Sequence, residues 1–285
     1  MDIIANKKSG KGRGAECLGA VVSYLDERGI PYRVHETNAI GHAEQLAREL
    51  CAEGCDTVVA LGGDGTFHET LNGMDFDRAR LGLIPAGRGN DFAIGTGAAA
   101  LDPKKAIADI VRAKPKDYDY INVSDRRCIN VVGTGLDVEV LLRTANSKNK
   151  LTYTASLFRC LLKYKPYAVT VETNGETHDY KCIMVGVCNG TQIGGGIRIS
   201  PISKADDGKL DIIVMEKPKR VPTVFVMPRF VKGKHMDKQY THHIICDSVR
   251  VNTPAPLQLD GEIYRDLPFD ASIVKGGLKT FDAAE

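Results

Sequence analysis

The run Thr57-Val58-Val59-Ala60-Leu61 passes without a break into Gly62-Gly63-Asp64-Gly65-Thr66, and it constrains the fold more than any other segment. Continuous apolar, β-branched residues read as a strand covered on both faces, as in a parallel sheet. A glycine-rich turn straight after such a strand lets backbone N–H groups converge on an anion, because glycine has no side chain to block the approach. Phe67 to Asn72 then reads as a helix whose N-terminal dipole favours a phosphate. Asp64, in the middle of the turn, suits a phosphate only if a cation such as Mg2+ intervenes; otherwise it is a solvent-facing carboxylate in a tight turn.

The neighbouring sequence extends this to an α/β domain. Asp2 to Ala5 is a short apolar strand opening into Asn6-Lys7-Lys8-Ser9-Gly10-Lys11-Gly12, and Ala15 to Arg28 carries Leu18, Val21, Val22 and Leu25 at helical spacing, with Gly29 as C-cap. Tyr32 to His35 reads as a strand, Gly41 to Glu53 as a helix, and Leu81 to Ile84 as another buried strand. The βαβαβ rhythm predicts a parallel sheet covered by helices. After about Tyr118 the runs become short and closely spaced: Tyr118–Val123, Cys128–Val132, Ala168–Thr173, Lys181–Cys188, Leu210–Met215, His243–Val251 and Ile273-Val274, with a helix over about Lys150 to Tyr164. Turn signals such as Asn174-Gly175 make this an antiparallel sandwich or barrel. The expected domains are 1–116 and 117–275, with the tail 276–285 returning to the first.

Several function classes are excluded at this level. A net charge of +2 gives no basic footprint for nucleic acid. The start Met1-Asp2-Ile3-Ile4-Ala5-Asn6 lacks a signal-peptide pattern, and apolar stretches such as Cys182 to Cys188 are too short to span a bilayer. The eight scattered cysteines read as reduced thiols of a cytoplasmic protein. Cys51 and Cys55, four apart on an expected helix, lack the further ligands that zinc needs. Neither Gly10-Lys11-Gly12 nor the Gly62 turn supplies a Walker A loop, and Gly95-Thr96-Gly97-Ala98-Ala99-Ala100 matches a dinucleotide pattern but follows no strand. Asp260 and Glu262 would share a face on an extended strand, or else mark a β-turn at the sandwich edge. His68 reads as a surface histidine at a helix N-terminus, and His242-His243 as partly buried strand residues.

Five blocks in order carry a more specific signal. Gly62-Gly63-Asp64-Gly65-Thr66-Phe67-His68-Glu69-Thr70-Leu71-Asn72-Gly73 resembles the signature of the diacylglycerol kinase and sphingosine kinase catalytic-domain family, in particular its bacterial lipid kinase branch. The others are Asn6 to Gly12, Pro85-Ala86-Gly87-Arg88-Gly89-Asn90-Asp91-Phe92, the stretch from Asn189-Gly190 to Asp206-Asp207-Gly208-Lys209-Leu210-Asp211, and Leu259-Asp260-Gly261-Glu262. The resemblance implies a diacylglycerol-kinase-like or NAD-kinase-like α/β nucleotide domain followed by an all-β sandwich. It also implies an ATP- and Mg2+-dependent kinase that phosphorylates a lipid hydroxyl. It assigns nucleotide contacts to Asn6, Lys7, Lys8, Ser9, Gly10, Thr37, Gly62, Gly63, Asp64, Gly65, Thr66, Phe67 and His68. Asp64 would help place Mg2+, Glu262 would be the general base, and Lys204, Asp207 and Lys209 match a second Mg2+ site in which only Asp207 offers a side-chain oxygen.

Two departures from the family pattern stand out: Lys7 replaces a proline, and Arg88 stands where a threonine is usual, either as a phosphate contact or as an exposed loop residue. A lipid substrate implies peripheral contact with the inner membrane surface, for which two basic-apolar segments are candidates. One runs from Lys217 through Lys219, Arg220, Val224, Phe225, Val226, Met227, Arg229, Phe230, Lys232 and Lys234 to Lys238; the other combines Lys148, Lys150, Arg159, Lys163 and Lys165 with Leu157, Phe158, Leu161 and Leu162. An exposed sheet edge could support a homodimer. The alternatives are a soluble-substrate kinase of the NAD kinase type and a catalytically silent lipid- or nucleotide-binding module. Asp64→Ala is expected to abolish lipid phosphorylation with the fold intact.

Overall fold

The computed structural model describes residues 1–144, 164–218 and 223–283. Two compact units emerge, one from Met1–Tyr120 with the segment beginning at Lys275, the other from Ile121–Val274.

In the first unit β1 (Asp2–Ala5), β2 (Arg33–Glu36), β3 (Thr57–Gly62) and β4 (Arg80–Pro85) form a parallel sheet in the order β2-β1-β3-β4. Helix α1 (Arg13–Asp26) buries Cys17, Leu18, Val21 and Leu25 against Ile3, Val59, Leu61 and Ile84. Helix α2 (His42–Ala52) packs against α3 (Asp64–Gly73) so closely that a Cβ at Gly73 would overlap the Glu44 carbonyl. A carboxylate oxygen of Glu69 accepts from Ala43 N at 3.1 Å, capping α2 from its neighbour. Helix α4 (Asp91–Thr96) follows β4, and α5 (Pro103–Arg112) joins the α1 layer through Ala106, Ile107 and Ile110. Sequence patterning missed α5, although Asp102-Pro103 was a legible start: Asp102 accepts from Lys105 N at 2.8 Å and Pro103 fills the first helical position. Gly95-Thr96-Gly97 lies at the end of α4 and follows no strand, as its context indicated.

The second unit is built on an antiparallel sheet in the order β14-β13-β7-β9-β8-β12-β15-β5-β6, with β10 pairing β9 and β11. These strands are β5 (Pro115–Val123), β6 (Arg126–Cys128), β7 (Val131–Gly135), β8 (Tyr167–Thr173), β9 (Glu176–Cys188), β10 (Leu210–Glu216), β11 (Thr241–Cys246), β12 (Ser248–Asn252), β13 (Leu257–Leu259), β14 (Glu262–Tyr264) and β15 (Asp270–Phe281). The unit boundary falls inside β5 and β15. An α/β domain with a parallel sheet followed by an antiparallel, sandwich-like one is the architecture the pattern predicts. The β8–β9 turn is Asn174-Gly175, with φ of 53° and 77°, the two left-handed residues that a type I′ hairpin needs. One core gathers Val132, Val187, Ile212, Leu257 and Leu259; a second lies under α6 (Leu136–Thr144) and α7 (Thr223–Val231).

The expected strand Cys128–Val132 is two strands, β6 and β7, because a carboxylate takes up the backbone N–H groups between them, as described below. His243–Val251 likewise divides at Asp247 into β11 and β12. The expected helix from Lys150 and its basic residues up to Lys163 lie outside the described residues, Tyr164 alone being described, and outside them too are Lys219, Arg220 and the side chains of Val224, Phe225 and Met227. Val226 and Phe230 are buried in the second core, so these two apolar residues of the basic segment face inward and not outward. Arg229, Lys232 and Lys234 are exposed.

Candidate active site

The winding of the first sheet reverses between β1 and β3: the chain runs outward from β1 to β2, then returns past β1 to β3. Loops leaving the carboxyl ends of strands at such a reversal diverge and open a crevice, the common ligand site of open α/β sheets. Three of the glycine-containing blocks meet at that end. Asn6 N donates to Leu61 O at 2.9 Å; its side-chain Nδ2 donates to Thr66 Oγ1 at 3.2 Å, while its Oδ1 accepts from Lys8 N at 3.1 Å. Ser9 Oγ accepts from Gly63 N at 3.3 Å. Gly10 sits at φ 60°, where a Cβ would overlap the Ala86 carbonyl, so glycine is required there. The second and third blocks touch backbone to backbone, since a Cβ at Gly87 would come within 2.5 Å of Gly63 Cα.

Asp64 is the first residue of α3, which begins three residues before the expected Phe67. Its carboxylate is directed into the fold: Oδ2 accepts from Asn90 N at 2.9 Å and Oδ1 from Asp91 N at 2.6 Å. It therefore caps α4 from another helix. Asn90 stands at φ 53° and closes its own loop, accepting from Gly87 N at 2.9 Å and donating to Gly87 O at 3.2 Å. Asp64→Ala would leave two partly buried N–H groups without their acceptor, at about 1–3 kcal/mol each, which corrects the expectation that this variant spares the fold. Gly62, Gly63, Asp64, Pro85, Asn90 and Phe92 line a small cavity behind the second and third turns, where Phe67 stacks on Phe92 with ring centroids 5.4 Å apart.

Of the other anticipated contacts, Gly65 and Thr66 fall in the first turn of α3. Phe67 and His68 are buried; His68 is 3% exposed, which corrects its reading as a surface residue. Lys7, Lys8 and Arg88 are exposed on their loops, and Lys7 pairs with Glu36. Thr37 follows β2 and donates its N–H to Ala5 O at 3.0 Å. Cys55 lies beyond the end of α2, not on a shared helical face with Cys51, and hydrogen-bonds Asp2.

In the second unit, Leu259-Asp260-Gly261-Glu262 forms the β13–β14 hairpin. Asp260 and Gly261, at φ 51° and 98°, make the two-residue turn, and Glu262 opens β14 on the surface. The turn alternative, and not a shared strand face, is thus what Asp260 and Glu262 adopt. The Asp260 carboxylate accepts from Ile129 N at 2.7 Å, Asn130 N at 2.8 Å and Val131 N at 3.3 Å, which is what separates β6 from β7. The same loop is gripped from the other side, where Asn189 Nδ2 donates to Ile129 O and Asn189 N and Gly190 N donate to Asn130 O. Two sequence blocks about seventy residues apart therefore serve one short loop. Lys204, Asp207 and Lys209 are exposed; Asp207 Oδ1 accepts from Lys209 N at 3.0 Å, and Lys209 Nζ pairs with Asp247. Among the described residues no group of three or more His, Cys, Asp or Glu is placed to hold a metal. On β11 His242 is partly buried, as expected, whereas His243 is exposed, its Nε2 lying 2.6 Å from Asp211 Oδ1.

Two family models match the chain: the diacylglycerol kinase catalytic domain over residues 1–123, and the YegS C-terminal NAD kinase beta sandwich-like domain over residues 130–281. The chain belongs to the diacylglycerol kinase family. A diacylglycerol kinase of Bacillus subtilis (strain 168) is 28% identical over 274 residues, covering 93% of this chain and 90% of the relative. One from Staphylococcus saprophyticus is 26% identical, covering 98% and 94%. A crystal structure of a diacylglycerol kinase from Bacillus anthracis str. Sterne shares the fold, with a TM-score of 0.74 at 22% identity and coverage of 99% and 96%. Within this family's blocks, sequence reasoning named Asp64 and Glu262 but missed what fixes them. Asn90 and Asp91 were legible as a motif, whereas Gln258, Asp137 and Asn130 carried no signal.

Proposed function

We propose that the chain is an ATP- and Mg2+-dependent lipid kinase that transfers the γ-phosphate to a lipid hydroxyl, that of diacylglycerol or a related lipid. The observation that carries this is the convergence of the Asn6–Gly10, Gly62–Asp64 and Gly87–Asn90 turns at the carboxyl end of the parallel sheet, beside the N-terminus of α3. Such a place suits a polyphosphate, because glycine backbones admit close approach and the helix dipole favours negative charge. Asn6, Ser9 and Thr66 hold the turns in register. Lys7, Lys8 and Arg88 add cationic side chains on the same loops, and Thr37 belongs to the same end.

Asp64 is the residue proposed to help place Mg2+, its carboxylate held in position by the bonds it accepts from Asn90 and Asp91. Bound Mg2+ would neutralise phosphate charge. A second Mg2+ would rest on Asp207 with carbonyls of Lys204 and Lys209, a sparse donor set consistent with a structural ion. Glu262 is the proposed base: it takes the proton of the substrate hydroxyl as that oxygen bonds the γ-phosphorus and the bond to the ADP oxygen breaks. Among the described residues no helix is long and apolar enough to cross a membrane. We place the protein in the cytoplasm, where exposed Arg229, Lys232 and Lys234 would meet an anionic inner surface peripherally.

A radiolabelled-ATP assay offering total lipid extract and NAD as competing acceptors tests the reading. Label should enter lipid, identified by mass spectrometry. Glu262→Gln should lower kcat by about 10²–10⁴-fold, and Asp64→Asn, which keeps one acceptor, should lose turnover with less damage to the fold than Asp64→Ala. Label entering NAD alone would overturn the lipid assignment.

A further inference from the structure

The hairpin that presents Glu262 is held by more than Asp260. Gln258, fully buried on β13, accepts from Gly261 N on its Oε1 at 2.7 Å. Its Nε2 donates to Asp137 Oδ2 at 3.2 Å and to Val131 O at 3.3 Å. The two sides of the amide are therefore not interchangeable: the acceptor side faces an N–H, and the donor side faces a carboxylate and a carbonyl. Asp137, near the start of α6, is itself 7% exposed, and burial pushes its carboxyl up to about 6. The pair fits because residue 133 is glycine, where any Cβ would overlap Asp137 Oδ2 and approach Gln258 Nε2. A chain of contacts thus runs from α6 through Asp137 and Gln258 to Gly261, the residue directly before Glu262.

We propose that Gln258 and Asp137 are positioning residues for phosphoryl transfer: Asp137 orients the Gln258 amide, and the amide fixes the Gly261 peptide so that Glu262 leaves the turn in one direction. This rests on the reading of Glu262 as the base. Misplacing a reacting group by about 1 Å costs on the order of 10²-fold in rate, so the pair acts on kcat without touching the nucleotide.

The test reverses the polarity of the bond. Gln258→Glu sets a carboxylate against Asp137 and the Val131 carbonyl, and should lower kcat about 10–100-fold with the KM for ATP unchanged, in enzyme shown by its melting curve to be folded at assay temperature. Adding Asp137→Asn supplies a donor where Oδ2 stood, and the double variant should recover about tenfold of that loss. In a Glu262→Gln background, Gln258→Glu should cost nothing further. If Gln258→Glu does not fold, Gln258→Met, of similar shape without either polar group, should show the same kcat loss at constant KM. Wild-type kcat in the folded Gln258 variants, a double variant no better than Gln258→Glu, or an equal loss with and without Glu262 would each overturn the inference. If Glu262→Gln is itself fully active, the base assignment falls and the inference with it; if Glu262→Gln is inactive and Gln258→Glu is normal, only the inference falls.

Discussion

Asp2 opens β1 at the end of the sheet opposite the glycine turns, and its carboxylate is shared by three partners. Arg33 pairs with it, His35 Nε2 lies 2.8 Å from its Oδ1, and the Cys55 thiol donates to its Oδ2 at 3.0 Å. Burial would raise this carboxyl, but hydrogen bonds from Arg33, Cys55 and His35 and the Arg33 charge outweigh it and hold the carboxyl at about 2. A group lowered on folding contributes stability above its unfolded value, near 3.8, and loses it as pH falls toward the folded value. The wild-type chain should therefore exceed Asp2→Asn by about 2 kcal/mol near neutral pH, with the gap closing between pH 4 and pH 2. Chemical unfolding of both proteins across that range checks the expectation; a gap that does not change with pH would show that the carboxylate charge is not what matters. The same Asp2 pushes the Cys55 thiol, already raised by burial, up to about 11, so Cys55 should stay protonated and react slowly with thiol reagents. Nothing in the spacing of residues 2, 33, 35 and 55 revealed the cluster, because parallel pairing of β1 with β2 and β3 is what brings them together.

At the scale of elements, the crevice is made by turns that lock one another. Gly63 and Gly87 touch through their backbones, Asp64 caps α4, and Asn6 and Ser9 tie the first loop to the second. Gly87→Ala should push these turns apart, costing about 1–3 kcal/mol in stability and weakening ATP binding about tenfold or more, as read by calorimetric titration. Gly87 is not at positive φ, so its substitution tests the contact itself; Gly12→Ala, at φ 100° where a Cβ meets no neighbour, shows by contrast what backbone strain without a contact does to binding. Full-strength ATP binding by Gly87→Ala would show that contact between the turns does not shape the proposed nucleotide site. The blocks themselves were legible as glycine punctuation after buried strands. Their mutual contacts were not, because a short block carries no record of which distant block it meets. The β6–β7 division shows the same limit: Cys128 to Val132 has the apolar texture of one strand, and only the Asp260 carboxylate ends the ladder there.

Across the whole molecule, the chain begins in the α/β unit, builds the β unit and then returns. Gly276 N donates to Asp119 Oδ1 at 2.7 Å, Lys279 pairs with Asp117, and Thr280 Oγ1 donates to Leu81 O at 2.6 Å. Phe281 is buried in the core with Ile84 and Ile107. Phe281→Ala should cost about 3 kcal/mol and act locally: hydrogen exchange should quicken in β1, β3 and β4 and stay unchanged in β9. Equal quickening in β9 would show that the two units unfold as one. The order of sheets was visible from the spacing of strand-like runs, whereas α4, α6 and α7 were not, being short or lacking clear amphipathic spacing.

Local chemistry therefore settled much of this protein in advance. A β-branched run ending in glycines specifies a buried strand and an anion-seeking turn, Asn-Gly specifies a hairpin, and five ordered blocks specify a lipid kinase family, because each depends on residues adjacent in the chain. The capping role of Asp64, the burial of His68, the clamp of Asp260 on residues 129–131 and the Asp137–Gln258–Gly261 relay came only from the folded structure. Each requires groups tens of residues apart to reach hydrogen-bonding or packing distance, and that proximity is a property of strand order and helix packing.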